Sequence, residues 1–111
     1  LSYQDATTSP ASDIWTYKPN YKSFTLSRTG IAVTFTTPGV YLVIEGMQRN
    51  NAGFTSNIDA YIVSFVNNSI TYNKIYSGQT DSYTVTVDGA TMSFIGYSAA
   101  RNLGITATLL S

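Results

Sequence analysis

The stretch Ser82-Tyr83-Thr84-Val85-Thr86-Val87-Asp88-Gly89-Ala90-Thr91-Met92-Ser93-Phe94-Ile95-Gly96-Tyr97 decides the fold. Tyr83, Val85 and Val87 alternate with Ser82, Thr84 and Thr86, a period of two that places apolar side chains on one face of a strand and hydroxyls on the other. Asp88-Gly89 then breaks the pattern before Thr91-Met92-Ser93-Phe94, and this dipeptide tolerates the backbone angles of a tight reversal. The stretch therefore predicts a hairpin in a sheet that is wet on one side.

The same grammar continues outward in both directions. Short runs rich in β-branched and aromatic residues predict strands at Lys22–Ser27, Ile31–Thr36, Gly39–Met47, Ile58–Val66, Ile70–Tyr76, Ser82–Val87, Thr91–Tyr97 and Gly104–Leu110. Arg28-Thr29-Gly30, Pro38-Gly39 and Asn67-Asn68 supply further turns. No segment keeps a helical period. Residues 1–20 hold two of the three prolines among Ser, Thr and Asp and read as an extended arm, in which only Ile14 to Lys18 could pair as a short strand. Residues 21–111 read as one head domain. The expected fold is all-β: an antiparallel eight-stranded jelly-roll-like sandwich with an extended N-terminal arm.

Composition narrows the chemistry. The 111 residues include no cysteine and no histidine, so no disulfide, zinc finger or histidine-based triad can be built. Six basic and six acidic residues cancel, which argues against nucleic acid, because phosphate-tracking surfaces are strongly basic. The longest apolar run, Val40 to Ile44, is far short of the roughly 20 residues that span a bilayer, and the first residues lack a signal pattern. No membrane insertion and no cofactor is expected. Calcium needs several clustered carboxylates, and no Asp-x-Asp spacing occurs, so no metal is expected.

Two strands are apolar on both faces. In Gly39–Met47, Val40, Leu42 and Ile44 oppose Tyr41, Val43 and Met47; in Ile58–Val66, Ala60 and Ile62 oppose Tyr61, Val63 and Phe65. A two-sheet sandwich buries one face of each strand, so the second needs a cover, either the arm or another subunit. Parity leaves open which face looks inward and which meets a neighbour; Tyr41, Val43, Tyr61, Val63 and Phe65 are the candidates for the contact with another subunit.

Of the acids, Asp5 and Asp13 lie in the arm, Asp81 in a polar loop and Asp88 in a turn. Glu45 sits in an apolar run and is expected at a sheet rim, in water or paired with Arg49 or Arg101. Glu45 and Asp59 lie in strands that could run side by side, the prerequisite for a carboxylate pair of the glycosidase type. Asn67-Asn68-Ser69 formally matches a glycosylation acceptor and reads more simply as a hairpin turn. Trp15, near Tyr17 and Tyr21, is expected to plug the sandwich or to anchor the arm.

With nine Tyr, many amides and hydroxyls, and only 11% charged residues, the composition suits recognition of sugars, which offer apolar faces and a polar rim. The connection Gln48–Asn57 carries Arg49, Asn50, Asn51, Phe54 and Asn57, and Ser98–Asn102 adds Arg101 and Asn102. Loops on a rigid sandwich are the usual place for binding residues, and these seven are the candidate ligand-binding set.

The order Phe35-Thr36-Thr37-Pro38-Gly39-Val40-Tyr41, then the strand ending in Asn67-Asn68, the Asp88-Gly89 hairpin and the terminal Gly104-Ile105-Thr106-Ala107-Thr108-Leu109-Leu110 resembles the tumour-necrosis-factor-like jelly roll over Thr25 to Leu110. That family includes complement-type and collagen-type trimer heads, spore-surface fibres and bacteriophage tail-fibre or tail-needle knobs. The chain is shorter than most members and has neither the cysteines nor the charge density of the animal ones. The resemblance implies a homotrimer, most like a non-enzymatic receptor-binding head of a viral tail fibre, which binds a host cell-surface glycan or protein at the virion surface or in an extracellular setting. The arm would lead from a shaft upstream of Leu1. The alternatives are a structural trimerisation cap and the carbohydrate-binding module of an enzyme.

Overall fold

The computed structural model describes residues 20–49 and 52–111. The expected arm, the Ile14–Lys18 pairing, Trp15, Asn50 and Asn51 lie outside them. Eight strands follow in order: β1 (Asn20–Arg28), β2 (Ile31–Thr34), β3 (Gly39–Gln48), β4 (Phe54–Val66), β5 (Ser69–Ser77), β6 (Thr84–Asp88), β7 (Thr91–Ile95) and β8 (Arg101–Leu109). They form two antiparallel sheets, a five-stranded one ordered β1-β8-β3-β4-β5 and a three-stranded one ordered β2-β7-β6. The first and last strands are neighbours, as in a jelly roll, while β3, β4 and β5 form a meander. The architecture is the all-β, jelly-roll-like sandwich read from the alternation.

The hairpins follow from their loop residues. Val66 pairs with Ser69, so Asn67-Asn68 is a two-residue loop, and both asparagines have φ near +55°, the left-handed pair of a type I′ turn. At the β6–β7 reversal Asp88 pairs with Thr91, so the loop is Gly89-Ala90. Gly89 holds φ +58° at its first position, where a side chain would be strained.

Two connections are tighter than their polar sequence suggests. Ala52 N–H donates to Arg49 O at 2.8 Å and Arg49 N–H to Gly53 O at 3.3 Å, so Gln48 already faces Phe54 across a hairpin. Phe54 and Asn57 therefore lie in β4, and Arg101 and Asn102 in β8, rather than in loops as expected.

The core lies between the sheets. Tyr41, Val43, Tyr61, Val63 and Phe65 point into it and are at most 6% exposed, beside Phe35, Met92, Phe94, Leu103 and Ile105. This overturns their expected role as the trimer interface: the three-stranded sheet of the same chain already covers that face. The opposite parity of the same strands, Val40, Leu42 and Ile44 on β3 with Ile62 on β4, lies on the outer face and is half-buried.

Tyr21 fastens β1 to the connection between the sheets. Its hydroxyl accepts the backbone N–H of Thr36 at 3.0 Å and of Thr37 at 3.2 Å and meets Thr36 Oγ1 at 2.8 Å, and its ring stands edge-on to Phe35 at 5.6 Å. Tyr21→Phe keeps the ring but strands both amides. It is expected to cost about 1–2 kcal/mol in urea unfolding, with an unchanged m-value; an unchanged midpoint would show that water replaces the phenol at no cost.

Candidate functional site

The structure divides the residues expected to bind ligand. Arg49 and Asn102 come together with Met47, Gln48 and Thr55 around a shallow depression of about 300 Å³ at one end of the five-stranded sheet. Asn102 also accepts the Ser27 N–H through Oδ1 at 3.1 Å, which helps hold the irregular end of β1. The others are committed elsewhere. Arg101 Nε donates to Asp81 Oδ2 at 2.8 Å, Asn57 Nδ2 donates to Thr80 Oγ1 at 2.9 Å, and Phe54 pairs with Gln48 across the hairpin. Among the described residues of that set, only Arg49 and Asn102 share one surface.

A denser concentration of chemistry lies where the sheets meet. Glu45 and Asp59 are directly opposed across β3 and β4, so both carboxyls point inward, at 0% and 1% exposure. This corrects the expectation of a rim ion pair for Glu45: neither Arg49 nor Arg101 reaches it, and Tyr97 donates its hydroxyl to Glu45 Oε2. Glu45 Oε1 is buried with no hydrogen-bond partner among the described residues.

Asp59 is the better satisfied acid. Oδ1 accepts the N–H groups of Gly78 and Gln79, each at 2.9 Å. Oδ2 accepts the Tyr83 hydroxyl and pairs with Lys74 Nζ at 3.2 Å. Because Tyr83 spends its proton on Asp59, the 2.5 Å contact between Tyr61 and Tyr83 hydroxyls has Tyr61 as donor. Gln79 ties the knot: Nε2 donates to Asn57 O at 3.1 Å and Tyr97 Oη at 3.4 Å, while Oε1 accepts the Asp81 N–H at 3.1 Å.

These environments push the two acids apart. Burial raises Glu45 to about 7; the Tyr97 hydrogen bond opposes the rise and the Asp59 charge adds to it. Burial also acts to raise Asp59, yet hydrogen bonds from Tyr83 and the Gln79 backbone, with Lys74, outweigh it and hold the group below its ordinary value. The pair thus shares one negative charge, carried by Asp59, at mildly acidic pH.

The seam opens into a groove. β6 is short and lies at the edge of its sheet, so it leaves the inner face of β5 uncovered: Tyr72 is 42% exposed although it pairs with the core residue Val63. The groove has a volume of about 560 Å³, with Tyr61, Tyr72 and Lys74 on one side, Tyr83 and Val85 on the other, and Asp59, Gln79 and Asp81 at one end. Lys74 Nζ stands 5.7 Å from the ring centres of both Tyr61 and Tyr83, and Tyr83 stacks on Tyr97 at 5.2 Å.

Sequence reasoning missed Tyr72, Lys74, Gln79 and Tyr83. Their one legible signal was parity: Tyr72 and Lys74 share a face of β5 that, with Ile70, continues the core. Among the described residues no group of three or more potential ligands is placed to hold a metal ion. Comparison with protein-family models, with curated proteins and with solved structures finds no match.

The raised Glu45 makes stability fall with rising pH. Its contribution is complete below its unfolded value of 4.5 and is lost as pH climbs through about 7, a change of about 3 kcal/mol. Asp59 acts oppositely, since its contribution is lost as pH falls below 3.8. Urea unfolding of the wild type is expected to show maximal stability just below pH 4.5 and a decline from there to about pH 7, and Glu45→Gln to remove that decline. A Glu45→Gln protein that retains the decline would assign it to another group.

Proposed function

We propose that the chain is a non-enzymatic receptor-binding head, of the kind carried at the tip of a viral tail fibre or a similar surface fibre, that grips a cell-surface glycan or protein as a homotrimer. The observation that carries this reading is the outer face of the five-stranded sheet. Val40, Leu42 and Ile44 on β3 and Ile62 on β4 form an apolar surface on the side away from the three-stranded sheet, and such a surface favours self-association. The acids support the non-enzymatic part. Glu45 is enclosed and Asp59 is saturated with partners, whereas a glycosidase needs both carboxyls at the substrate. Three identical heads on one axis would turn weak single-site contacts into firm attachment through avidity.

Light scattering at micromolar concentration is expected to give the mass of three chains. Leu42→Lys places an ammonium opposite Ile62 on that face and is expected to raise the concentration for half-dissociation by at least about thirtyfold while the far-ultraviolet β spectrum is kept. A wild-type protein with the mass of one chain removes the trimer.

A further inference from the structure

We propose that the groove between β5 and β6 is a binding site for a neutral pyranose, one or two sugar rings of a glycan, seated on Tyr72 and held at its rim by Lys74 and Ser82. This deepens the recognition role proposed above and rests on it for the glycan; the groove itself is complete within one chain, whatever the oligomeric state.

Size and shape come first. A volume of about 560 Å³ falls among the concave sites that enclose small ligands. Its apolar surface is aromatic: Tyr72 leans on Tyr61 with ring centres 5.9 Å apart, and Tyr83 packs on Phe94 at 5.9 Å. Tyr72 thus offers a supported, 42% exposed ring. The axial C–H groups of a pyranose present an apolar face of matching size to such a ring.

Charge selects the class. Every ion in the lining already has its counter-ion: Lys74 with Asp59 at 3.2 Å, Asp81 with Arg101 at 2.8 Å. An anionic or cationic ligand would have to break one of these pairs, whereas a neutral polyol needs only the capacity left over. Lys74 has three N–H donors, of which one serves Asp59, and its side chain is 42% exposed. Ser82 and Thr84, both exposed residues with a hydroxyl, also line the groove. The end wall is held in place because Asp59 and Gln79 bind the backbone N–H groups of Gly78, Gln79 and Asp81, so little ordering cost falls on the ligand.

The test is a titration of the ¹⁵N-labelled full chain with the methyl glycosides of glucose, galactose, mannose and N-acetylglucosamine, with methyl glucuronide and tetramethylammonium as charged counter-probes. At least one neutral glycoside is expected to shift amides of residues 59–61, 72–74 and 79–85 saturably. Tyr72→Ala, at an exposed position, should weaken that binding about tenfold without changing the thermal midpoint, and Tyr72→Phe should retain it. No shift with any neutral glycoside, or stronger groove binding by glucuronide or tetramethylammonium, overturns the proposal. Shifts confined to the surface near Arg49 and Asn102 also overturn it, while leaving glycan recognition at the head intact. Light scattering on the same sample separates a failed groove from a failed trimer.

Discussion

Two sheets of unequal width set most of what is distinctive here. The three-stranded sheet covers the centre of the five-stranded one, and where it runs out, at the edge strand β6, the inner face of β5 emerges into solvent. Ile70 still lies under cover at 7% exposure, whereas Tyr72, two residues along on the same face, is 42% exposed. A sandwich with matched sheets would bury Tyr72 and Lys74 and would have no groove. The same shortfall explains why polar side chains can occupy the seam: Lys74 reaches Asp59 from the open side and keeps part of its charge in water.

The opposed acids show how such a seam is tolerated. A carboxylate buried without partners costs several kcal/mol, and Asp59 offsets that with two backbone N–H groups, a phenol and an ammonium. Glu45, with one phenol and one unpartnered oxygen, lacks that support and is the acid that takes up the proton. A neutral carboxyl leaves a much smaller desolvation cost, so the sheet can keep Glu45 opposite Asp59 without a second cation. The titratable groups around Glu45 are Asp59 and Tyr61 from β4, Lys74 from β5, and Tyr83 and Tyr97 beside β6 and β7; β8 presents Ile105.

Alternation carried the fold in the sequence because strand period is a local property. All eight strands were legible, as were the Asn67-Asn68 and Asp88-Gly89 reversals, and Glu45 and Asp59 were legible as acids in strands that could run side by side. What the sequence left open is relational. Which face of Tyr41–Phe65 looks inward depends on where β2, β6 and β7 dock, and both faces are apolar, so parity could not decide it. Glu45 looked like a rim residue because its cover comes from Tyr97, 52 positions away. Arg101 and Asn57 looked like loop residues because polar side chains in turn-rich stretches suggest solvent. Their partners, Asp81 and Thr80, belong to the segment that closes the seam.

Strand parity also keeps the proposed assembly face and the proposed binding groove on opposite sides of one sheet. On β4, Ile62 faces outward while its neighbours Tyr61 and Val63 face the core and groove. A subunit contact on the outer face would therefore use none of the side chains that line the groove. Substitutions on one face change the other only through the strand backbone, which is held by pairing with β3 and β5 on both sides. A sandwich built this way can vary the lining of its groove without altering the outer face of the five-stranded sheet, because the pleat separates the two across the thickness of a single sheet.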